Sequence, residues 1–372
     1  MKKVLITGSN GFIGSNLLVS LKHIDGLDLI LFDKYQDSTL LKEALEKADI
    51  VFHLAGVNRP EKEEEFMDGN SELTKYIVDT LLSLKRTIPL VLSSSSQAEL
   101  DNPYGRSKLE AEKQINKYNK EGGEGYIFRL VNVFGKWCRP DYNSVVATFC
   151  YNISNGKDIV INDRAKELEL IYIDDILTAF KKIISGEFIK TENMIYLISP
   201  VYNIKLGVLA DKILSFKTTT SSGSVPDIGD DFIKKLHATY LSYLPLGTAK
   251  YSLETVSDER GMLFEFIRSQ SSGLIFVSRT KPGITRGNHF HHSKNERFCV
   301  IEGEAVIRLR HLITGEIVEF FVNGNKPEVV NILPGYTHSM TNLGIGELIT
   351  LFWANELFDH ERPDTYFEKV IK

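Results

Sequence analysis

Cysteine is scarce in this sequence, and so is any long apolar run. Cys138, Cys150 and Cys299 are too few and too unevenly spaced for a disulfide framework or a thiolate zinc site, which leaves three buried thiols as the expectation. No stretch approaches the roughly 20 apolar residues that a membrane span needs. Lys2 and Lys3 precede Val4-Leu5-Ile6 much as a signal peptide begins, but the run stops at Thr7-Gly8, so the expected compartment is the cytoplasm. An excess of positive charge is missing too. With 44 Lys and Arg against 49 Asp and Glu, the net charge of -5 offers no field that would draw nucleic acid or an anionic membrane. Internal repeats are also lacking. What remains is a 372-residue chain, 42% hydrophobic and 25% charged, long enough for two cores and suited to a small-molecule partner.

The texture of the chain changes once. Up to about residue 200, strand-length runs (VLIT, LDLILFD, IVFHLAG, LVLSSSS) alternate with helical patterns such as FIGSNLLVSLKHI, which predicts a doubly wound α/β parallel sheet of Rossmann type. From about residue 246 the runs LIFVSRT, RFCVIEG, AVIRLRHL, EIVEFFV, EVVNILP and LITLFWA follow one another with no long helix between them. That pattern predicts an all-β antiparallel barrel or sandwich. The boundary is expected within SYLPLGTAKYS, giving domains 1–245 and 246–372. TTTSSGSVPD, 218–227, reads as a loop, and EKEEE, 61–65, as a solvated helix start.

The first chemistry lies at the N-terminus. Gly8-Ser9-Asn10-Gly11-Phe12-Ile13-Gly14 follows a strand and opens a helix, so its N–H groups can meet a pyrophosphate at the positive end of the helix dipole. Asp33, ending the second strand, can accept a hydrogen bond from a ribose 2′-OH, which favours NADH; Lys34 can neutralise a 2′-phosphate. Further on, Tyr104 and Lys108 stand four apart on one helix face. The ammonium is expected to lower the phenol's pKa and poise it to give a proton to a carbonyl oxygen as hydride arrives. The serine run 93–96 ends a strand and can supply a hydroxyl to the same carbonyl.

These motifs, with HLAG at 53–56 and RLVNVFG at 129–135, resemble the extended short-chain dehydrogenase/reductase family over about residues 1–200, and its nucleotide-sugar members above all. The resemblance implies Tyr104 as catalytic acid and Lys108 as a ligand of the nicotinamide ribose. It implies Ser95 or Ser94 as the substrate-orienting serine, Leu54, Ala55 and Gly56 beside the cofactor, and Asn132 near the substrate diphosphate. NADPH is expected as the reductant, as is usual for biosynthetic reductases of this kind, with NADH the alternative. Three departures stand out: residues 34–47 leave little room for the family's third strand, the gap between the serines and Tyr104 is short, and Leu168 occupies the approximate place of an arginine, for which Arg164 is the expected substitute.

The second chemistry lies in PGITRGNHFHHSKNERFCVIEG, 282–303. His289 and His291, at i and i+2 on a strand, would share a face, with His292 turned away. Glu296 and His338 complete an N and O set suited to Zn²⁺ or another first-row divalent metal. The order G-x5-H-x-H-x4-E-x6-G from Gly283 to Gly303, with Pro334-Gly335-Tyr336-Thr337-His338 and Asn342 as a second motif, resembles the cupin family and implies a double-stranded β-barrel with His289, His291, Glu296 and His338 as metal ligands. SDERGMLFEFIR, 257–268, and KPGITRGNHFH, 281–291, resemble the deoxysugar 3,5-epimerase branch. There the histidine at the place of His289 is a metal-free base, and Arg260 and Arg286 are substrate residues.

A proton beside a ketone can be removed when the enolate oxygen is stabilised, and its return on the other face inverts the centre. The pairing of the two domains, in this order, resembles the bifunctional epimerase-reductases of bacterial capsular-polysaccharide synthesis. It implies a UDP-4-keto-6-deoxy-HexNAc substrate, UDP-2-acetamido-2,6-dideoxy-hexos-4-ulose, epimerised at C3 and then reduced at C4 to UDP-2-acetamido-2,6-dideoxy-L-talose on the route to UDP-N-acetyl-L-fucosamine. It also implies a homodimer. The rival expectations are an NAD-retaining epimerase or dehydratase and a non-enzymatic sugar-binding redox sensor.

Overall fold

The computed structural model describes residues 1–372 except 35, 192–193, 221–224, 253–255, 259–260, 264–272 and 357–360. The chain forms two compact units. The first holds Met1–Phe134, Asp141–Ser144 and Glu167–Ile204; the second holds Gly135–Pro140, Val145–Lys166 and Lys205–Lys372.

The first unit is built on β1 (Lys2–Thr7), α1 (Phe12–Leu21), β2 (Leu27–Phe32), α2 (Ser38–Lys47) and β3 (Ile50–His53). Next come α3 (Glu64–Phe66), a π-helical turn at Met67–Glu72, α4 (Leu73–Ser83), β4 (Pro89–Ser95), α5 (Pro103–Lys120) and β5 (Glu124–Leu130). β6 (Asn132–Phe134), β7 (Glu167–Tyr172), α7 (Ile173–Ser185), β8 (Ile195–Tyr196) and β9 (Tyr202–Lys205) follow, with α6 (Val145–Ser154) lying in the second unit. The main sheet has the order β2-β1-β3-β4-β5-β8 and its pairings are parallel. Its central strands read as continuous apolar runs because both faces are covered: β3, IVFH, is buried at every position. β2 is an edge strand. The chain goes from β2 directly into α2, so the shortage of room between Asp33 and Ala48 shows as a missing outer strand, and Leu31 on that edge is 40% exposed. α5 starts where it does because the Asn102 side chain caps Gly105 N–H at 2.8 Å and Pro103 takes the first helical position.

The second unit contains α6, α8 (Leu206–Thr219), α9 (Asp231–Leu241) and two antiparallel five-stranded sheets. The strands are β10 (Lys250–Ser252), β11 (Val256–Asp258), β12 (Gly261–Leu263), β13 (Leu274–Thr280), β14 (Thr285–Phe290) and β15 (Glu296–Glu302). β16 (Glu304–His311), β17 (Ile317–Asn323), β18 (Glu328–Ile332), β19 (Tyr336–Asn342), β20 (Leu348–Ala354) and β21 (Tyr366–Phe367) complete the set. One sheet runs β10-β18-β15-β20-β13 and the other β17-β16-β19-β14-β21, so the antiparallel expectation is met. α8 and α9 pack with this β structure. Arg297 on β15 donates to Thr219 O at 3.0 Å, and Val225 and Ile228 share a buried cluster with Cys299, Val329 and Trp353. All three cysteines are buried and none is in a disulfide. Among the described residues, no helix is long and apolar enough to cross a membrane.

Candidate active site and metal centre

The Gly-rich turn joins β1 to α1. Gly8 has φ +68°, a conformation that favours glycine, and a Cβ there would lie 2.7 Å from the Ala55 backbone. At Gly14 a Cβ would lie 2.1 Å from Gly8 O, so the first helical turn can approach the strand only as glycine. No side chain caps the N-terminus of α1, whose leading N–H groups at Phe12 and Ile13 are therefore available to an anion, and the turn fits a dinucleotide pyrophosphate. Asp33 braces the turn: its carboxylate accepts Asn10 N–H and Lys34 N–H, each at 2.8 Å. Leu54, Ala55 and Gly56 follow β3, and Ala55 N–H donates to Thr7 Oγ1.

Tyr104 and Lys108 lie in the first turns of α5, as their spacing predicts. The Tyr104 phenol lies beside Ser95, whose Oγ accepts Gln97 N–H at 3.1 Å. Ser94 is committed elsewhere. Its Oγ donates to Glu112 Oε1 at 2.6 Å, and Glu112 is clamped by Arg129 through Nε at 2.9 Å and Nη2 at 2.7 Å. Lys108 Nζ donates to Ser93 O at 3.1 Å and sits 5.8 Å from the Tyr104 ring centroid. Burial lowers the Lys108 pKa from 10.5 to about 8, with Glu112 pulling it back up. The expected depression of the Tyr104 pKa is not found. Burial raises it, and the neighbouring Ser95 hydroxyl offsets only part.

Two neighbours escaped sequence reasoning. Asn70, on the π-helical turn, accepts Val57 N–H and donates to Val57 O and Ser107 Oγ, all at 3.0 Å. Its Oδ1 and Lys108 Nζ would meet any Cβ placed on Gly56, at 2.7 and 3.2 Å. His53 bridges Thr7 and Thr74, and burial, then the Lys108 charge, lowers its pKa to about 3. A π-helical turn inside a helix is a common mark of a functional site, but no residue pattern announces it. Of the remaining substrate expectations, Asn132 is exposed on β6 with Nδ2 donating to Glu169 O, and Arg164 is ion-paired with Asp211 at 2.6 Å. Arg286 is exposed on β14 and donates to Arg279 O at 3.2 Å, while Arg260 lies outside the described residues.

In the second unit, ligand atoms of His289, His291, Glu296 and His338 all lie within 4.8 Å of one another. The route to this cluster differs from the expected i, i+2 strand pair. β14 ends at Phe290, and a bulge between Gly287 (φ +94°) and His289, with Asn288 at φ +58°, turns the chain there. His291 sits just past the strand, held by its Nδ1 hydrogen bond to Asp364 O, and its ring centroid is 5.1 Å from that of His289. His289 and His338 are paired in register across β14 and β19. His292 does turn away, against Phe290 and Tyr366.

His291 Nε2 and His338 Nε2 are buried without a hydrogen-bond partner, 3.3 and 3.5 Å from Glu296 Oε2. Orphaned imidazole nitrogens converging on a buried carboxylate fit a divalent cation with N and O preference. Burial lowers the His289 pKa to about 4 and puts that of His338 well below its usual value, so both rings are neutral and able to ligate at pH 7. Burial pushes the Glu296 carboxyl up, but its polar neighbours, among them Lys294 Nζ at 3.3 Å from Oε1, hold it below its ordinary range, which leaves it charged.

With this geometry in hand, comparison with known proteins is informative. The NAD dependent epimerase/dehydratase family matches residues 4–198. The chain belongs to that family. The polysaccharide biosynthesis C-terminal domain matches residues 256–366. Over 366 residues, 98% of each chain, the family member is 44% identical to the UDP-2-acetamido-2,6-beta-L-arabino-hexul-4-ose reductase of Pseudomonas aeruginosa PA103. It also resembles the crystal structure of the capsular polysaccharide assembling protein CapF from Staphylococcus aureus. There the identity is 43%, the TM-score 0.68, and coverage 99% of this chain and 100% of that one. The UDP-N-acetylglucosamine 4-epimerase of Bacillus cereus, 22% identical at TM-score 0.51, covers 58% of this chain and 82% of its own and shares the fold of the epimerase/dehydratase part.

Proposed function

We propose that this chain is a bifunctional nucleotide-sugar enzyme of capsular-polysaccharide biosynthesis. It epimerises C3 of UDP-2-acetamido-2,6-dideoxy-hexos-4-ulose and then reduces C4 to give UDP-2-acetamido-2,6-dideoxy-L-talose. Reduction falls to residues 1–245 and epimerisation to a cupin-type barrel, 246–372. The observation that carries the reading is Tyr104 beside Ser95 and buried Lys108, following a glycine turn that leaves a helix N-terminus open. Full-length similarity to a UDP-hexul-4-ose reductase supports the substrate class.

A bound nicotinamide dinucleotide supplies hydride. Ser95 and Tyr104 hold the C4 carbonyl oxygen, and Tyr104 gives its proton to that oxygen as the alcohol forms. A phenol kept protonated by burial is suited to this donor role. NADPH is the proposed reductant, as for biosynthetic reductases of this kind, with Lys34 placed to neutralise a 2′-phosphate and NADH as the alternative. In the barrel, His289, His291, Glu296 and His338 would hold Zn²⁺, which supplies positive charge to an enolate oxygen. His292, packed against Phe290 and Tyr366, does not face that cluster and is not proposed as the epimerase base; His360, the other histidine considered for that role, lies outside the described residues. The homodimer is supported by edge strand β13, where Ile275 and Val277 are 53% and 54% exposed, and sedimentation at monomer mass would overturn it.

The test is Tyr104→Phe in the full chain, incubated with the keto sugar and NADPH in deuterated water. Losing a general acid costs roughly 10²- to 10⁴-fold, so NADPH consumption should fall by that factor while deuterium still enters at C3. Undiminished NADPH consumption would remove Tyr104 from the reaction.

A further inference from the structure

The loop that carries His291 is tied down by a residue about seventy positions away. Asp364 accepts the backbone N–H of His292 at 2.8 Å on one carboxylate oxygen, and those of Ser293 and Lys294, both at 2.7 Å, on the other. Ser293 Oγ adds a fourth contact at 3.1 Å. The same residue's main-chain oxygen takes the hydrogen bond from His291 Nδ1. Just beyond it, β21 pairs with β14 so that Phe367 faces His289, and Glu368 N–H donates to Asn288 O at 2.7 Å. Arg310 then closes the far end, donating to Glu368 Oε1 at 2.8 Å and Val370 O at 3.1 Å.

A neutral imidazole has one N–H and one lone pair, and the hydrogen bond at one nitrogen decides where the lone pair goes. With a carbonyl oxygen at Nδ1, His291 must carry its proton there, which leaves the Nε2 lone pair directed at Glu296, 3.3 Å away. We propose that Asp364 is a positioning residue for the cation site: its carboxylate clamps the 292–294 loop, its carbonyl fixes His291 as an Nε2 donor, and the segment through Val370 acts as a strap over the ligand strands. The proposal rests on the cation reading of the four-residue cluster. It adds to it a requirement that no ligand itself can meet.

Outer partners of a ligating histidine are worth about 10- to 100-fold in metal affinity. Asp364→Asn keeps the shape but places an NH₂ against backbone N–H donors, so the loop loses part of its clamp. Glu368→Gln serves as a strap control, since it weakens the strap at Arg310 without touching the His291 loop. The measurement is the zinc dissociation constant of the full-length parent and both variants, by chelator competition, together with their Tm without metal. Asp364→Asn should bind zinc at least about 10-fold more weakly, whereas Glu368→Gln should lose comparable Tm with affinity nearly kept. Nitrogen-15 imidazole spectra of the zinc-loaded parent should show His291 protonated at Nδ1 and ligating through Nε2, and those of Asp364→Asn a mixture. Unchanged zinc affinity in Asp364→Asn, or an Nε2–H tautomer in the parent, overturns the proposal. A parent that binds no zinc overturns the cation reading itself, and the two failures are told apart by the parent measurement alone.

Discussion

Replacing Lys108 with methionine should make the cofactor-free protein more stable while destroying the reductase. The side chain is only 5% exposed, and burial brings its pKa from 10.5 down to about 8. The difference between those values corresponds to about 3 kcal/mol of destabilisation borne by the charged form at neutral pH. Methionine has a similar length and no charge to desolvate. Against the gain stands the hydrogen bond to Ser93 O, whose loss costs about 1 kcal/mol. The net is about 2 kcal/mol, or roughly 4 to 8 °C in Tm for a unit of this size. The pH dependence supplies the sharper check. Because the folded pKa lies below the unfolded one, the unfolded chain binds more protons between about pH 8 and 10.5, and the parent gains stability as pH rises through that window. The variant has no such gain. Its Tm advantage should therefore be full below about pH 8 and close as pH approaches 10.5, measured by fluorimetric melts of both proteins at matched ionic strength. An advantage that is equal at pH 7 and pH 10, or a variant that melts lower at pH 7, would falsify the claim that Lys108 is held charged at a cost.

Glu112→Gln leaves Arg129 facing a neutral amide in a buried pair whose carboxylate side chain is 3% exposed, and should cost about 3 kcal/mol in urea unfolding. Reduction by that variant should stay within a few-fold of the parent at a temperature where it is folded, because the serine it releases is Ser94 and not Ser95; a loss as large as that of Tyr104→Phe would transfer the catalytic role to Ser94. Gly14→Ala forces a Cβ to within 2.1 Å of Gly8 O, so nicotinamide dinucleotide titration should show binding weakened at least about 10-fold; parent affinity in a folded variant would remove the turn from the cofactor site.

The parts of the fold that could be read in the chain are those in which a local rule suffices. The glycine turn is visible because positive φ at Gly8 and close contact at Gly14 both exclude a Cβ. The Tyr104–Lys108 pair is visible because helix geometry converts a spacing of four into a shared face. Ser94 and Ser95 could not be told apart in the same way, since the choice depends on Glu112 and Arg129 from two other elements. The four clustered residues were legible from their order, but the strand pairing assumed for His289 and His291 was not what joins them. A bulge with Asn288 in a left-handed conformation does so, and nothing short of register reveals it. The Tyr104 pKa was misjudged because spacing reports the neighbouring charge and is silent on burial. Asp364 has no periodic or motif signal at all; its importance arises entirely from contacts at long range.

The strap has a consequence for synthesis. A polypeptide emerges from its N-terminus at roughly 5 to 20 residues per second, so the nucleotide-binding sheet is available to fold well before the barrel is complete. All four residues of the proposed cation site have been added once His338 is in the chain, yet His291 gains its Nδ1 acceptor only when Asp364 follows. For roughly 1 to 5 seconds on each nascent chain, the histidines are present but unaligned. A chain interrupted between His338 and Asp364 would carry the four residues without the acceptor that fixes the His291 ring, so the proposed cation site is complete only once Asp364 is in place.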